Sequence, residues 1–177
     1  MKLTVITINN PDDYSQWETA DGDYISFVPA ETRLEDKHFF DLVKVYEDRP
    51  LYRKISMVAP VVSIPAKDIY SWTITDNSFE PADISRSREP YAVQIAYLPG
   101  AIIKKKALQR IKPTFTGDIM QDSINLSTAL WTSGLRCFVD PATAVESDDN
   151  TLANSYMYTH NEEYRTLQDM FQREYIR

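Results

Sequence analysis

Asp12, Glu35 and Lys37 come nearest to a catalytic pattern in this sequence. Pro11-Asp12 followed by Glu35-x-Lys37 has the outline of a hydrolytic site. Two carboxylates would hold Mg²⁺ while the lysine orients or activates the attacking water. Such a site needs the Glu and the Lys side by side on a core strand, whereas here they open a stretch with helical spacing. The acid pairs Asp12-Asp13, Asp21/Asp23 and Asp148-Asp149 lack the alternate spacing of a calcium loop and read as turn and solubility residues. A carboxylate pair brought together only by the fold, as in glycoside hydrolysis, leaves no mark in sequence that selects its members.

Cys137 with His38 or His160 would be the material for a thiol nucleophile. Cys137 stands between Arg136 and Phe138 in a strand-like run, so it is expected to be a buried core thiol. One cysteine and two histidines leave little for a zinc centre or a disulfide framework. The four glycines are too scattered for a phosphate-cradling loop, and Ser133-Gly134 lacks the context of a nucleophile elbow. The sequence therefore points to no catalytic group, no metal and no cofactor.

Charge is more informative. The net of -7 is uneven along the chain. Residues 1–50 hold eleven acids against five bases, and residues 113–177 hold ten against four. Between them, Arg86, Arg88, Lys104, Lys105, Lys106, Arg110 and Lys112 are opposed by Glu89 alone within residues 86–112. Such a concentration suits phosphates or an acidic partner by long-range attraction. Base stacking would want aromatics interleaved with it, and only Tyr91 and Tyr97 are. Aromatics gather instead near the C-terminus. Tyr164, Leu167, Phe171 and Tyr175 share one face of an expected amphipathic helix and read as a protein interface.

The elements that must position these residues follow from periodicity and turn chemistry. Residues 2–8 and 24–28 read as strands joined through Asn9-Asn10-Pro11 and Asp21-Gly22-Asp23, which suits a small meander or hairpin. Phe39, Leu42, Val43 and Tyr46 recur at helical spacing, with Thr32 and Glu35 spaced as a capping box. Residues 55–64 are apolar and β-branched, but Pro60 predicts an edge or bent strand. Residues 70–75 and 91–98 read as further strands. Residues 101–112 place Ile103, Ala107, Leu108 and Ile111 on one helical face, and Pro113 stops them. Thr116 or Asp118 caps a helix running to Trp131, with Gly134 just past its end. Residues 135–139 read as a strand ended by Asp140-Pro141, and 142–154 as a polar loop.

These elements predict an α+β single domain over 1–177, strand-rich in 1–98 and helix-rich in 99–177. Its sheet is expected to be mostly antiparallel and drawn from the N-terminal half, with two or three helices from the C-terminal half. The functional expectation is a non-enzymatic structural or interaction subunit of a large multiprotein assembly, with a virion (phage head-tail or tail) component as its specific form. The alternative is a nucleic-acid-binding protein through residues 86–112, and the third is a Mg-dependent, nuclease-like hydrolase on Asp12, Glu35 and Lys37. Other protein subunits are the expected partners, in an oligomer or hetero-assembly. The expected location is cytoplasmic or in a virion, without signal peptide or membrane span.

Overall fold

A computed structural model describes residues 2–30, 32–47, 54–64, 67–69, 72–74, 79–81 and 89–147. The β-branched first run forms β1 (Leu3–Ile8). The Asn-Pro-Asp signals after it cap a 3-10 helix, Pro11–Glu18, rather than turning a hairpin. Asn10 accepts the amide of Asp12, while the Asp13 carboxylate accepts those of Asn9 and Asn10. That helix makes the connection long enough to cross back, so β2 (Tyr24–Pro29) pairs with β1 in parallel.

A two-residue strand, β3 (Thr32–Arg33), leads to α1 (Asp36–Glu47) and then β4 (Ile55–Ile64). Three short strands follow: β5 (Lys67–Ile69), β6 (Trp72–Ile74) and β7 (Phe79–Pro81), the last two paired with each other. β8 (Tyr91–Val93), β9 (Ile102–Lys104), α2 (Lys105–Ile111), α3 (Ile119–Thr132) and β10 (Arg136–Ser147) complete the described chain.

The main sheet runs β1-β2-β9-β4-β10-β3, with β5 on β4 and β8 on β10. The expected mostly antiparallel sheet is overturned: the sheet is mixed, and its two longest ladders, β1–β2 and β4–β10, are parallel. Nor do the strands come from the first half alone, since β10, twelve residues long, lies in the second. Residues 142–147, expected in a loop, belong to it; Thr143, Val145 and Ser147 are buried while Ala142, Ala144 and Glu146 are exposed, a two-residue period.

Pro60 does not mark an edge. β4 lies between β9 and β10, and β9 pairs only with Met57 and Val58. On the other side the register jumps from Asp140↔Pro60 to Ala144↔Val61, so the proline sits where the ladder is already interrupted.

Helices cover both faces of the sheet. On one face Leu42, Val43 and Val45 of α1 pack with Ile55, Val58, Ile102 and Phe138. On the other, Ile25, Phe27, Met57, Ile103, Cys137 and Val139 meet the 3-10 helix, α2 and α3. Neighbouring strand residues divide between the two cores, as the pleat requires. No helix among the described residues is long and apolar enough to cross a membrane.

Candidate functional site

β9 is antiparallel to both β2 and β4, so β1, β2, β4 and β10 all run the same way. Their carboxyl ends therefore open on one edge of the sheet, the edge at which ligands gather in sheets with co-directed strands. β9 starts at that edge from the Pro99-Gly100 turn. The Gly100 amide donates to the Phe27 carbonyl at 3.0 Å, and the Ala30 amide to Ile8 at 3.3 Å. Gly100 has φ +71°, and a Cβ there would lie 3.4 Å from Leu34 Cδ2 and from Pro60 Cγ. The turn thus sits in ordinary contact with the Leu34 and Pro60 side chains.

Beside this edge, residues 113–118 are fastened by α3. The buried Asp122 carboxylate accepts from the Thr116 amide at 2.7 Å, the Thr116 hydroxyl at 2.9 Å and the Gly117 amide at 3.0 Å. Phe115 stacks on Tyr14 with ring centres 4.4 Å apart and meets Phe27 edge-on at 5.1 Å. Gly117, at φ +87°, lies so close to Pro11 that a Cβ would come within 2.5 Å of its ring. Asp118 caps α3 by accepting the Gln121 amide at 2.9 Å and is itself exposed, as are Asn9, Asn10 and Asp12. Burial, reinforced by Asp122 and Asp118, pushes the Tyr14 hydroxyl well above its ordinary range.

Behind the edge, residues 94–98 are buried but only partly in a ladder. α3 supplies their hydrogen bonds. Ser127 Oγ accepts the Ala96 amide at 3.1 Å, Ser123 Oγ accepts the Leu98 amide at 3.0 Å, and Trp131 Nε1 donates to the Val93 carbonyl at 3.2 Å. The expected 91–98 strand is therefore short, because side chains of a helix replace its ladder partners.

Asp12 sits exposed in the 3-10 helix, and Glu35 and Lys37 form an exposed pair at 2.8 Å at the start of α1. That pairing lowers the Glu35 carboxyl and raises the Lys37 amine. His38 Nδ1 accepts the Glu35 amide at 2.9 Å, an interaction that starts α1 in place of the Thr32 capping box. Cys137 is fully buried, and burial pushes its thiol up to about 12.

The basic stripe is divided by the β9–α2 boundary. Residues 102–104 join the central sheet instead of the expected helix. Lys104 lies over the Tyr46 ring, 4.8 Å from its centre, and burial lowers its amine; Lys105 donates to the Ala20 carbonyl. Lys106, Arg110 and Lys112 are exposed. Arg86, Arg88, His160, Tyr164, Leu167, Phe171 and Tyr175 lie outside the described residues.

Among the described residues no group of three or more His, Cys, Asp or Glu side chains is placed to hold a metal ion. Asp140 is buried and bonded to the Thr143 hydroxyl at 2.6 Å and to the Ala142 amide, and β2 ends in Pro29-Ala30 rather than a carboxylate. The edge itself and the anchored 113–118 loop escape sequence reasoning, because strand direction and Asp122 pairing are long-range properties.

No protein-family model matches this chain, and no curated protein matches its sequence. Among solved structures its fold is similar to "Crystal structure of GalNAc-T7 with UDP, GalNAc and Mn2+", with a TM-score of 0.56 and 12% identity over 78% of this chain. The chain spans 30% of the length of that one, and at this identity the likeness is one of fold.

Proposed function

We propose that the chain is a glycosyl-transfer domain that takes a nucleoside-diphosphate sugar at the carboxyl edge of β1, β2, β4 and β10. The observation that carries this reading is the shared strand direction, in a fold similar to that of GalNAc-T7 solved with UDP, GalNAc and Mn²⁺. Asn9 and Asn10 at the end of β1 offer exposed amide groups to the nucleotide. Asp118, exposed beside the anchored loop, is the carboxylate that would take the proton of an attacking hydroxyl. The hydroxyl oxygen bonds to the anomeric carbon, and the bond from that carbon to the diphosphate breaks with its electrons leaving on the nucleotide. Because the described residues do not fit a Mn²⁺ site, no step is assigned to a metal.

Titration of the full chain with UDP and UDP-hexoses, followed by backbone NMR, tests the reading. Shifts are expected at residues 8–10, 29–30, 98–101 and 115–118. Asp118→Asn should retain those shifts yet lower UDP release about a hundredfold. Absence of shifts with uridine, guanosine and cytidine diphosphate sugars alike would remove the proposal.

A non-enzymatic interaction subunit is the second reading. One observation favours it: Phe40 of α1 is 68% exposed on an apolar groove. The virion form of that reading gains nothing from the fold comparison. A cytoplasmic location, read from the sequence, accompanies either proposal.

A further inference from the structure

We propose that the chain pairs with a second copy of itself through the outer edge of β1, joining two main sheets into one across a two-fold axis at Val5. β1 is the end strand of the main sheet, and among the described residues it pairs with β2 alone. Its face is covered, since Leu3 and Tyr24 pack against α1 and the Tyr24 ring lies 5.1 Å from that of Tyr46. What stays open is its edge.

The backbone fixes which groups that edge offers. The Lys2 carbonyl accepts the Asp23 and Tyr24 amides at 2.7 and 3.1 Å, and the Ile8 carbonyl accepts the Ala30 amide at 3.3 Å. In a parallel ladder a residue turns its N–H and C=O to one side, and the next residue turns them to the other. The even-numbered residues of β1 therefore face β2, while Leu3, Val5 and Thr7 present theirs outward. Leu3–Ile8 contains no proline and no charge, the devices that keep an exposed edge from pairing.

Symmetry, charge and area together select a copy of this chain as the occupant. Antiparallel pairing centred on Val5 sets it against the partner's Val5, with Cα atoms about 5.5 Å apart, and Leu3 against the partner's Thr7. The axis is perpendicular to the sheet, so both α1 helices stay on one face. Val5 and Phe40, 44% and 68% exposed and lining one groove, then meet their counterparts across the seam. Lys2, exposed beside Asp21, precedes the amino end of β1, whereas Asp12 and Asp13 follow its carboxyl end, with Asp13 bonded to the Asn9 and Asn10 amides. Antiparallel pairing carries each Lys2 toward the partner's Asp12 and Asp13, a complementarity that a parallel arrangement lacks. The six-residue β1 is about 20 Å long, and α1, the sheet and the 3-10 helix stack to about 30 Å beside it. That gives roughly 600 Å² per copy and about 1,200 Å² in all, enough for a specific interface.

Sedimentation equilibrium of the full chain tests the pairing. The wild type should be a dimer at micromolar concentration. Val5→Lys sets like charges against each other at the axis and should weaken dimerisation at least about thirtyfold. Exchange of β4 amides should be unchanged in that variant, showing the body still folded. Val5→Cys should give a disulfide-linked dimer on mild oxidation, because the Cα separation at the axis suits the bond. A wild type that stays monomeric to about 100 µM overturns the proposal. So does a dimer that Val5→Lys leaves intact, or one that Val5→Cys does not cross-link. A monomer whose Leu3, Val5 and Thr7 amides are protected assigns the edge to another segment of the same chain and equally overturns it.

Discussion

Asp122 ties three donors of one loop to the middle of the molecule, so its removal is expected to act as an architectural change rather than the loss of a surface charge. Asp122→Ala leaves the Thr116 and Gly117 amides without their acceptor and should cost about 2–4 kcal/mol in urea denaturation, with Asp122→Asn costing less. Ser127→Ala should cost about 1–3 kcal/mol by stranding the buried Ala96 amide. Neither role is legible locally. Asp122 looks like an exposed first-turn acid, and Ser127 like a weak helix former. Asp118 is legible because a cap needs only residues three or four positions away, and its acceptance of the Gln121 amide agrees with that reading.

Element ends followed the same division between local and distant causes. The end of α3 is written in its own sequence. Gly134 takes φ +74°, its amide donates to Trp131, and the Leu135 amide donates to Leu130, closing the paired bonds of a Schellman turn. Gly100 at φ +71° has the same backbone form and an equally local reason, the Pro99-Gly100 turn closed by the Ala101 amide on the Leu98 carbonyl at 3.0 Å. Gly134→Ala, with open space for its methyl, should cost about 1–2 kcal/mol through conformation alone. Gly100→Ala should cost about the same 1–2 kcal/mol in the same thermal or urea melts, since its methyl would meet Leu34 and Pro60 at ordinary contact distance; a markedly larger cost would mean that those contacts are strained. Pro60 and the β9–α2 boundary misled because their causes are distant. A proline is read as an edge signal unless the partner strand's irregularity is known, and Ile102-Ile103 read as helical until β2 and β4 claim them.

At the scale of the whole molecule, the direction of β2 followed from what the 9–23 connection became, a helix instead of a turn, and turn-forming residues serve both. The sheet that results buries Cys137 between its ladder and α3. The folded thiol is raised to about 12 while an unfolded one titrates near 9, so the folded state holds its proton where the unfolded state loses it. Stability from this group is complete below pH 9 and falls as pH rises above it, with a limiting slope of about 1.4 kcal/mol per pH unit. Urea melts at pH 8 and pH 10 should show Cys137→Ala losing about 1 kcal/mol less than the wild type over that interval. Equal losses would mean that the thiol is reached by water in the folded state. The same burial makes the chain's one cysteine a built-in clock. A thiol reagent meets Cys137 only when strands β4, β8 and β10 part, so its rate of modification counts the openings of the sheet one molecule at a time.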